Sequence, residues 1–166
     1  MKIIIKATIF LLVLALVGYL GVRIYRLGVA RSNREALPDF SFVTLNNKSY
    51  TKKDLPDSVH TLIINYFSPD CDYCRFMAGS FWTNRNRFNN TFVIMVTGAD
   101  SAITARFSTD YKMNELPNLV IVRDPQTRFP GLFGSSAIPS FFIYSHQRLV
   151  KQFFGETKVD NLLSFK

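Results

Sequence analysis

The sequence predicts a three-layer α/β domain with a mixed central sheet. Two near-continuous apolar runs, Thr61 to Phe67 and Thr91 to Val96, read as strands buried on both faces. Between them lies a stretch with apolar residues at three- and four-residue spacing, as an amphipathic helix requires. Two further apolar runs, Phe141 to Tyr144 and Leu149 to Phe154, flank a polar tetrapeptide near the C-terminus. Strands alternating with helical patterns, closed by a hairpin, build a sheet with both parallel and antiparallel neighbours.

Taken in order, residues 7–22 are 16 consecutive uncharged, mostly apolar positions, preceded by Ile3, Ile4, Ile5 and Lys6. A spanning helix needs roughly 20 such residues, and Lys6 can snorkel to the interface. The sequence thus predicts an uncleaved transmembrane anchor over 1–24. A cleaved leader is the competing reading, but the nearby small-residue site, Gly28-Val29-Ala30, follows Arg23 and Arg26. Residues 25–36 read as a basic linker and 37–166 as the folded domain. There Phe40, Phe42 and Thr44 alternate with polar residues, Asn46-Asn47 marks a turn, and Ser49-Tyr50 resumes a strand. Thr51 is placed to cap a helical turn through Leu55. After the first buried strand, Ser68-Pro69-Asp70 breaks the chain, and the spacing predicts a helix from Cys71 to Phe88. A second helix is expected from Ser101 to Tyr111, with Ile103 and Phe107 inward. A short strand follows from Leu119 to Val122. Ser145-His146-Gln147-Arg148 reads as a hairpin turn, and Val159, Leu162 and Leu163 as a short last helix.

The chain of 166 residues carries a net charge of +8. Residues 1–35 contribute +5 of it and the rest +3, so the body has no basic run that argues for nucleic acid. Charge at the two flanks of the apolar run is near a tie, so orientation in a membrane is not readable from it. Two cysteines exclude a disulfide-dense scaffold, a four-cysteine zinc site and a cysteine-ligated iron–sulfur cluster within one chain.

Those cysteines form Cys71-Asp72-Tyr73-Cys74, where a buried strand ends and a helix begins. Three-residue spacing on a first helical turn lets a disulfide close with little backbone movement. The first cysteine faces the free N–H groups of the helix start, which favour a thiolate, and the second lies one turn further in. Cys71 is therefore expected to attack and Cys74 to resolve. A structural disulfide would close a tiny loop and stabilise little. A zinc site needs two more ligands, and His60 sits at the far end of the preceding strand, about 20 Å away. No metal and no cofactor is expected.

The stretch from Leu37 to Lys166 resembles the thioredoxin superfamily, and within it the membrane-tethered TlpA/ResA-like thiol–disulfide oxidoreductases, a group related to alkyl hydroperoxide reductase proteins. The resemblance rests on Pro38-Asp39-Phe40, Asp54-Leu55, Leu62 to Phe67 followed by the cysteine pair, Asp124-Pro125, Phe133-Gly134, Ile138-Pro139 and the glycine at 155. It implies a thioredoxin-like fold and a catalytic pair Cys71 and Cys74. It also implies a cis bond before Pro139, with Ile138 and Pro139 positioning the substrate chain. Protein thiols and disulfides would be the partners and a membrane thiol carrier the electron donor. The domain would face the periplasm, or the outer side, of a bacterial inner membrane and act as a reductase.

Departures from that pattern are local. Asp70 stands where a tryptophan is usual, Asn65 where thioredoxins keep a buried aspartate, Met77 where some tethered reductases place a glutamate, and Gly79 where thioredoxins have a proline. Asp70 and Asp72 oppose a thiolate at Cys71, whereas Arg75 and the helix start favour it. A peroxiredoxin-like peroxidase is the alternative. Ser68 fits its Ser/Thr three before the cysteine, but Ile64 stands where its proline should be. A non-catalytic membrane-anchored binding module is the other alternative, with Phe76, Trp82, Arg75, Arg85 and Arg87 as its surface. Retention of both cysteines favours the enzyme.

Overall fold

The structure is a computed structural model that describes residues 15–23, 35–57 and 59–165. Residues 15–23 are helical and are separate from the unit that begins at Ala36. Among the described residues no helix is long and apolar enough to cross a membrane. The anchor expected over 1–24 and the linker over 25–36 fall largely outside them.

The domain opens with a small hairpin, β1 (Ser41–Thr44) and β2 (Ser49–Thr51), paired through Phe42 and Tyr50. Thr51 caps a 3-10 turn over Lys52–Asp54. The Asp54 carboxylate accepts from the Thr51 N–H at 2.7 Å and from its hydroxyl at 2.8 Å. These bonds hold the Asp54 carboxyl below its usual pKa. Next come β3 (Thr61–Tyr66), α1 (Asp72–Thr83), β4 (Thr91–Thr97), α2 (Ser101–Asp110) and β5 (Leu119–Arg123). The chain ends with α3 (Phe129–Phe133), β6 (Ser140–Ser145), β7 (Arg148–Phe154) and α4 (Val159–Leu163).

The sheet order is β2-β1-β5-β4-β3-β6-β7. β3, β4 and β5 are parallel, while β1, β6 and β7 run antiparallel to their neighbours. All six residues of β3 are buried, because helices or loops cover both faces. Alternation divides the core. Ile63 and Phe67 face a layer built from Met77, Ala78 and Phe81 of α1, Phe107 of α2 and Leu162 of α4. Leu62, Ile64 and Tyr66 face the other side, with Phe40, Phe42, Phe129 and Phe133. Phe129 stacks on Tyr66 with ring centres 4.2 Å apart and on Phe133 at 4.4 Å.

Two expectations need correction, and one element is new. The helix after the cysteines ends at Thr83 rather than Phe88, and a 3-10 turn over Arg85–Arg87 follows it. Asn84 stops it by turning its side-chain amide back onto the Ser80 carbonyl at 2.9 Å. In α2 the inward face is Thr104, Phe107 and Ser108, while Ile103 is 44% exposed. The Thr104 hydroxyl can be buried because it donates to the Asp100 carbonyl at 2.6 Å. Finally, α3 has no counterpart in the sequence reading. It starts where the buried Asp124 carboxylate accepts the Phe129 N–H at 2.7 Å and ends at Gly134, at φ +77°.

Candidate active site

The Ser68-Pro69-Asp70 break after β3 is a tight turn closed by the Cys71 N–H on the Ser68 carbonyl at 3.2 Å. Cys71 then takes the extended backbone of a helix cap, φ −86° and ψ 122°, and its carbonyl accepts the Arg75 N–H at 3.0 Å. Its sulfur is thereby held at the positive end of a 12-residue helix. Cys71 is half-buried, and Cys74 is 1% exposed beneath it among Phe67, Met77 and Phe141. Both are thiols.

Burial pushes the Cys74 thiol from 9.0 up to about 12; the neighbouring Cys71 adds to the rise, and a backbone hydrogen bond from Ser68 offsets part of it. The two sulfurs therefore differ in access, and the inner one holds its proton firmly. Asn65 is buried below the site. Its amide donates to the Ser140 carbonyl at 3.1 Å and to the Tyr66 carbonyl at 3.4 Å, so it fastens β3 to β6 and offers Cys74 no base.

Ile138 and Pro139 arrive at the same end of the sheet from the other direction. β6 runs antiparallel to β3, with Ser140 opposite Tyr66, so Pro139 enters the ladder where β3 leaves it for the cysteine turn. The Ile138–Pro139 bond is cis. Pro139 is buried, Ile138 is 42% exposed, and the Pro139 carbonyl accepts the Gly155 N–H at 2.8 Å. Gly155 sits at φ +82°, a backbone that side chains oppose. Register thus puts at one end of the sheet two segments that the sequence separates.

Arg75 has a larger part than the sequence showed. Its Nε donates to the Pro69 carbonyl at 2.9 Å, one terminal nitrogen donates to Asp72 at 3.1 Å, and the other lies 3.8 Å from Asp70. One side chain thus fixes the turn and balances the two carboxylates flanking Cys71. A basic residue directly after the second cysteine, three and five residues past two aspartates, was the available signal. Beside it runs a groove of about 470 Å³ lined by Pro69, Asp70, Arg75, Ile103, Phe107 and Tyr111. A cavity of about 280 Å³ under Trp82 lies at the other end of α1, away from the thiols. Tyr73 and Phe76, on the outer face of α1, are 57% and 59% exposed.

No family model matches the chain, and no curated protein does. Solved structures do match. A secreted disulfide oxidoreductase of Mycobacterium tuberculosis, described as homologous to DsbE of E. coli, superposes with a TM-score of 0.63 at 14% identity, covering 80% of this chain and 97% of its own. The domain has the thioredoxin fold. The pneumococcal exposed lipoprotein thioredoxin Etrx1 of Streptococcus pneumoniae gives 0.58 at 19% identity, covering 76% and 96%. A peroxiredoxin-like protein from Aquifex aeolicus gives 0.62 at 15%, covering 78% and 82%. At such identities the likeness carries the architecture of this thioredoxin-like domain, and its chemistry rests on its own residues.

Proposed function

We propose that this chain is a thiol–disulfide oxidoreductase that reduces disulfides in protein substrates. The supporting observation is the asymmetric pair: a half-buried Cys71 at the helix start over a buried, firmly protonated Cys74. The Cys71 thiolate attacks one sulfur of a substrate disulfide. That S–S bond breaks, a Cys71–substrate mixed disulfide forms, and the first substrate sulfur leaves as a thiolate and takes a proton. Cys74 then gives up its proton to solvent or to the departing thiolate and attacks the Cys71 sulfur. The substrate leaves as a dithiol, and the pair is left as a disulfide, oxidised by two electrons. An external dithiol restores it. The backbone beside Ile138 and Pro139 is the strand-like edge on which the substrate chain is held during attack.

On this reading residues 1–24 anchor the chain in a bacterial inner membrane, the domain works on the outer side, and a membrane thiol carrier is the donor. The test of the chemistry is reduction of insulin with dithiothreitol as the final donor. Turnover should vanish in Cys71→Ser, while Cys74→Ser should accumulate mixed disulfides on Cys71. Trapping on Cys74 in a Cys71→Ser chain would reverse the roles. A reduction potential near −270 mV agrees with a reductase, and one near −120 mV overturns that direction. Protease accessibility in spheroplasts tests the topology. A protected domain refutes the orientation, and a soluble species lacking the first 30 residues refutes the anchor.

A further inference from the structure

The two histidines of the chain lie far apart in sequence, yet the sheet makes them neighbours. β3 and β6 pair with Thr61 opposite Ser145. One step further out on each strand stands His60 opposite His146, and the His146 N–H donates to the His60 carbonyl at 3.0 Å. Cross-strand partners of this kind present their side chains on one face. The two imidazole rings are 5.2 Å apart, centre to centre, with planes inclined by 59°. Both residues are exposed.

That spacing has a chemical meaning. Imidazole nitrogen binds zinc-type ions at about 2.0–2.1 Å, and a ring nitrogen lies about 1.1–1.2 Å from the ring centre. Two rings sharing one ion therefore have centres about 4.5 Å apart at a right angle and about 5.2 Å apart at the tetrahedral angle. The observed separation of 5.2 Å equals the tetrahedral value. Imidazole selects late first-row divalent ions over magnesium or calcium. A shallow groove of about 230 Å³ beside His60 is lined also by Asp57, Lys52 and Lys53. Lys52 is committed to the Leu37 carbonyl at 3.2 Å. Among the described residues no cluster of three His, Cys, Asp or Glu ligands exists, so water must complete the shell.

We infer that His60 and His146 form a two-imidazole site for a late first-row divalent cation of the Ni(II), Cu(II), Zn(II) class. The ion bridges the start of β3 and the β6–β7 turn. These are the outer ends of the two strands whose inner ends carry Cys71 and Pro139. The inference is independent of the redox chemistry.

The test uses the full-length Cys71→Ser/Cys74→Ser chain without an affinity tag, so that no thiolate competes. Ni(II) is titrated by isothermal calorimetry and followed by thermal melting, with Mg(II) as the comparison ion. One Ni(II) per chain should bind, and the melting temperature should rise with Ni(II) but not with Mg(II). His60→Asn and His146→Asn should each weaken Ni(II) binding roughly tenfold or more, because each removes one of two protein ligands. Asparagine suits the left-handed backbone at His146, φ +47°, and circular dichroism checks that both variants keep the fold. Absence of stoichiometric Ni(II) binding overturns the inference, as does binding retained in either folded single variant.

Discussion

Selective alkylation of the reduced protein near pH 7.5 tests the asymmetry of the pair. Burial moves the Cys74 thiol from 9.0 to about 12. A rise of this size lowers the thiolate fraction near neutral pH about a thousandfold. A more basic thiolate is also a better nucleophile, with a Brønsted slope of about 0.4–0.5, which recovers a factor of about 15–30. The net handicap is therefore roughly 30- to 60-fold against an ordinary thiol, before the 1% exposure of Cys74 restricts access further. Limiting iodoacetamide, quenched at intervals and mapped by peptide mass spectrometry, should carry its label on Cys71 while Cys74 stays free. The same time course in Cys74→Ser should again place the label on Cys71, the accessible sulfur of the folded chain. Equal labelling of both cysteines in the folded chain would falsify the claim that burial keeps the inner thiol protonated.

The folded chain holds the Cys74 proton to about 12, whereas the unfolded chain releases it near 9.0, so stability from this thiol is complete below pH 9 and falls as pH rises through that window. Urea melts at pH 8 and pH 10 should show a larger loss for the reduced parent than for Cys74→Ala. Arg75→Ala leaves Asp70 and Asp72 unbalanced beside Cys71. Because these groups are exposed, Cys71 alkylation should slow by no more than about fivefold, and added salt should narrow the gap. Phe129→Ala removes a fully buried ring stacked on Tyr66 and Phe133, and should cost about 3–5 kcal/mol in a denaturant titration. Asp124→Ala strands the buried Phe129 N–H and should cost about 1–3 kcal/mol, with hydrogen exchange rising first in α3.

What the sequence revealed were features written in adjacent residues. The runs at 61–67 and 91–96 betray strands buried on both faces, and the tetrapeptide 145–148 betrays a hairpin. The cysteine pair is informative because Ser68-Pro69-Asp70 stops a strand just before it. Features set by distant partners were hidden. The five-residue α3 exists because a carboxylate at 124 caps it and aromatic rings from β1 and β3 receive it; no periodicity is possible in one turn. The end of α1 depends on where one asparagine side chain folds back. The placing of Pro139 at the sheet end where β3 leaves for the cysteine turn, and the meeting of His60 with His146, follow from the β3–β6 register. Neither strand specifies that register alone.

The β3–β6 ladder also orders events during synthesis. Residues 61–97 hold a complete strand–helix–strand unit whose contacts are local, and the thiols are part of it. The strand that closes the site starts at Ser140, more than 40 residues later in the chain. A nascent chain released as far as β4 therefore carries both cysteines before Phe141 is there to pack against them. Throughout that interval the inner thiol lacks the part of its cover that Phe141 supplies. The division of labour between the two cysteines is completed late, when the segment from Ser140 onward docks.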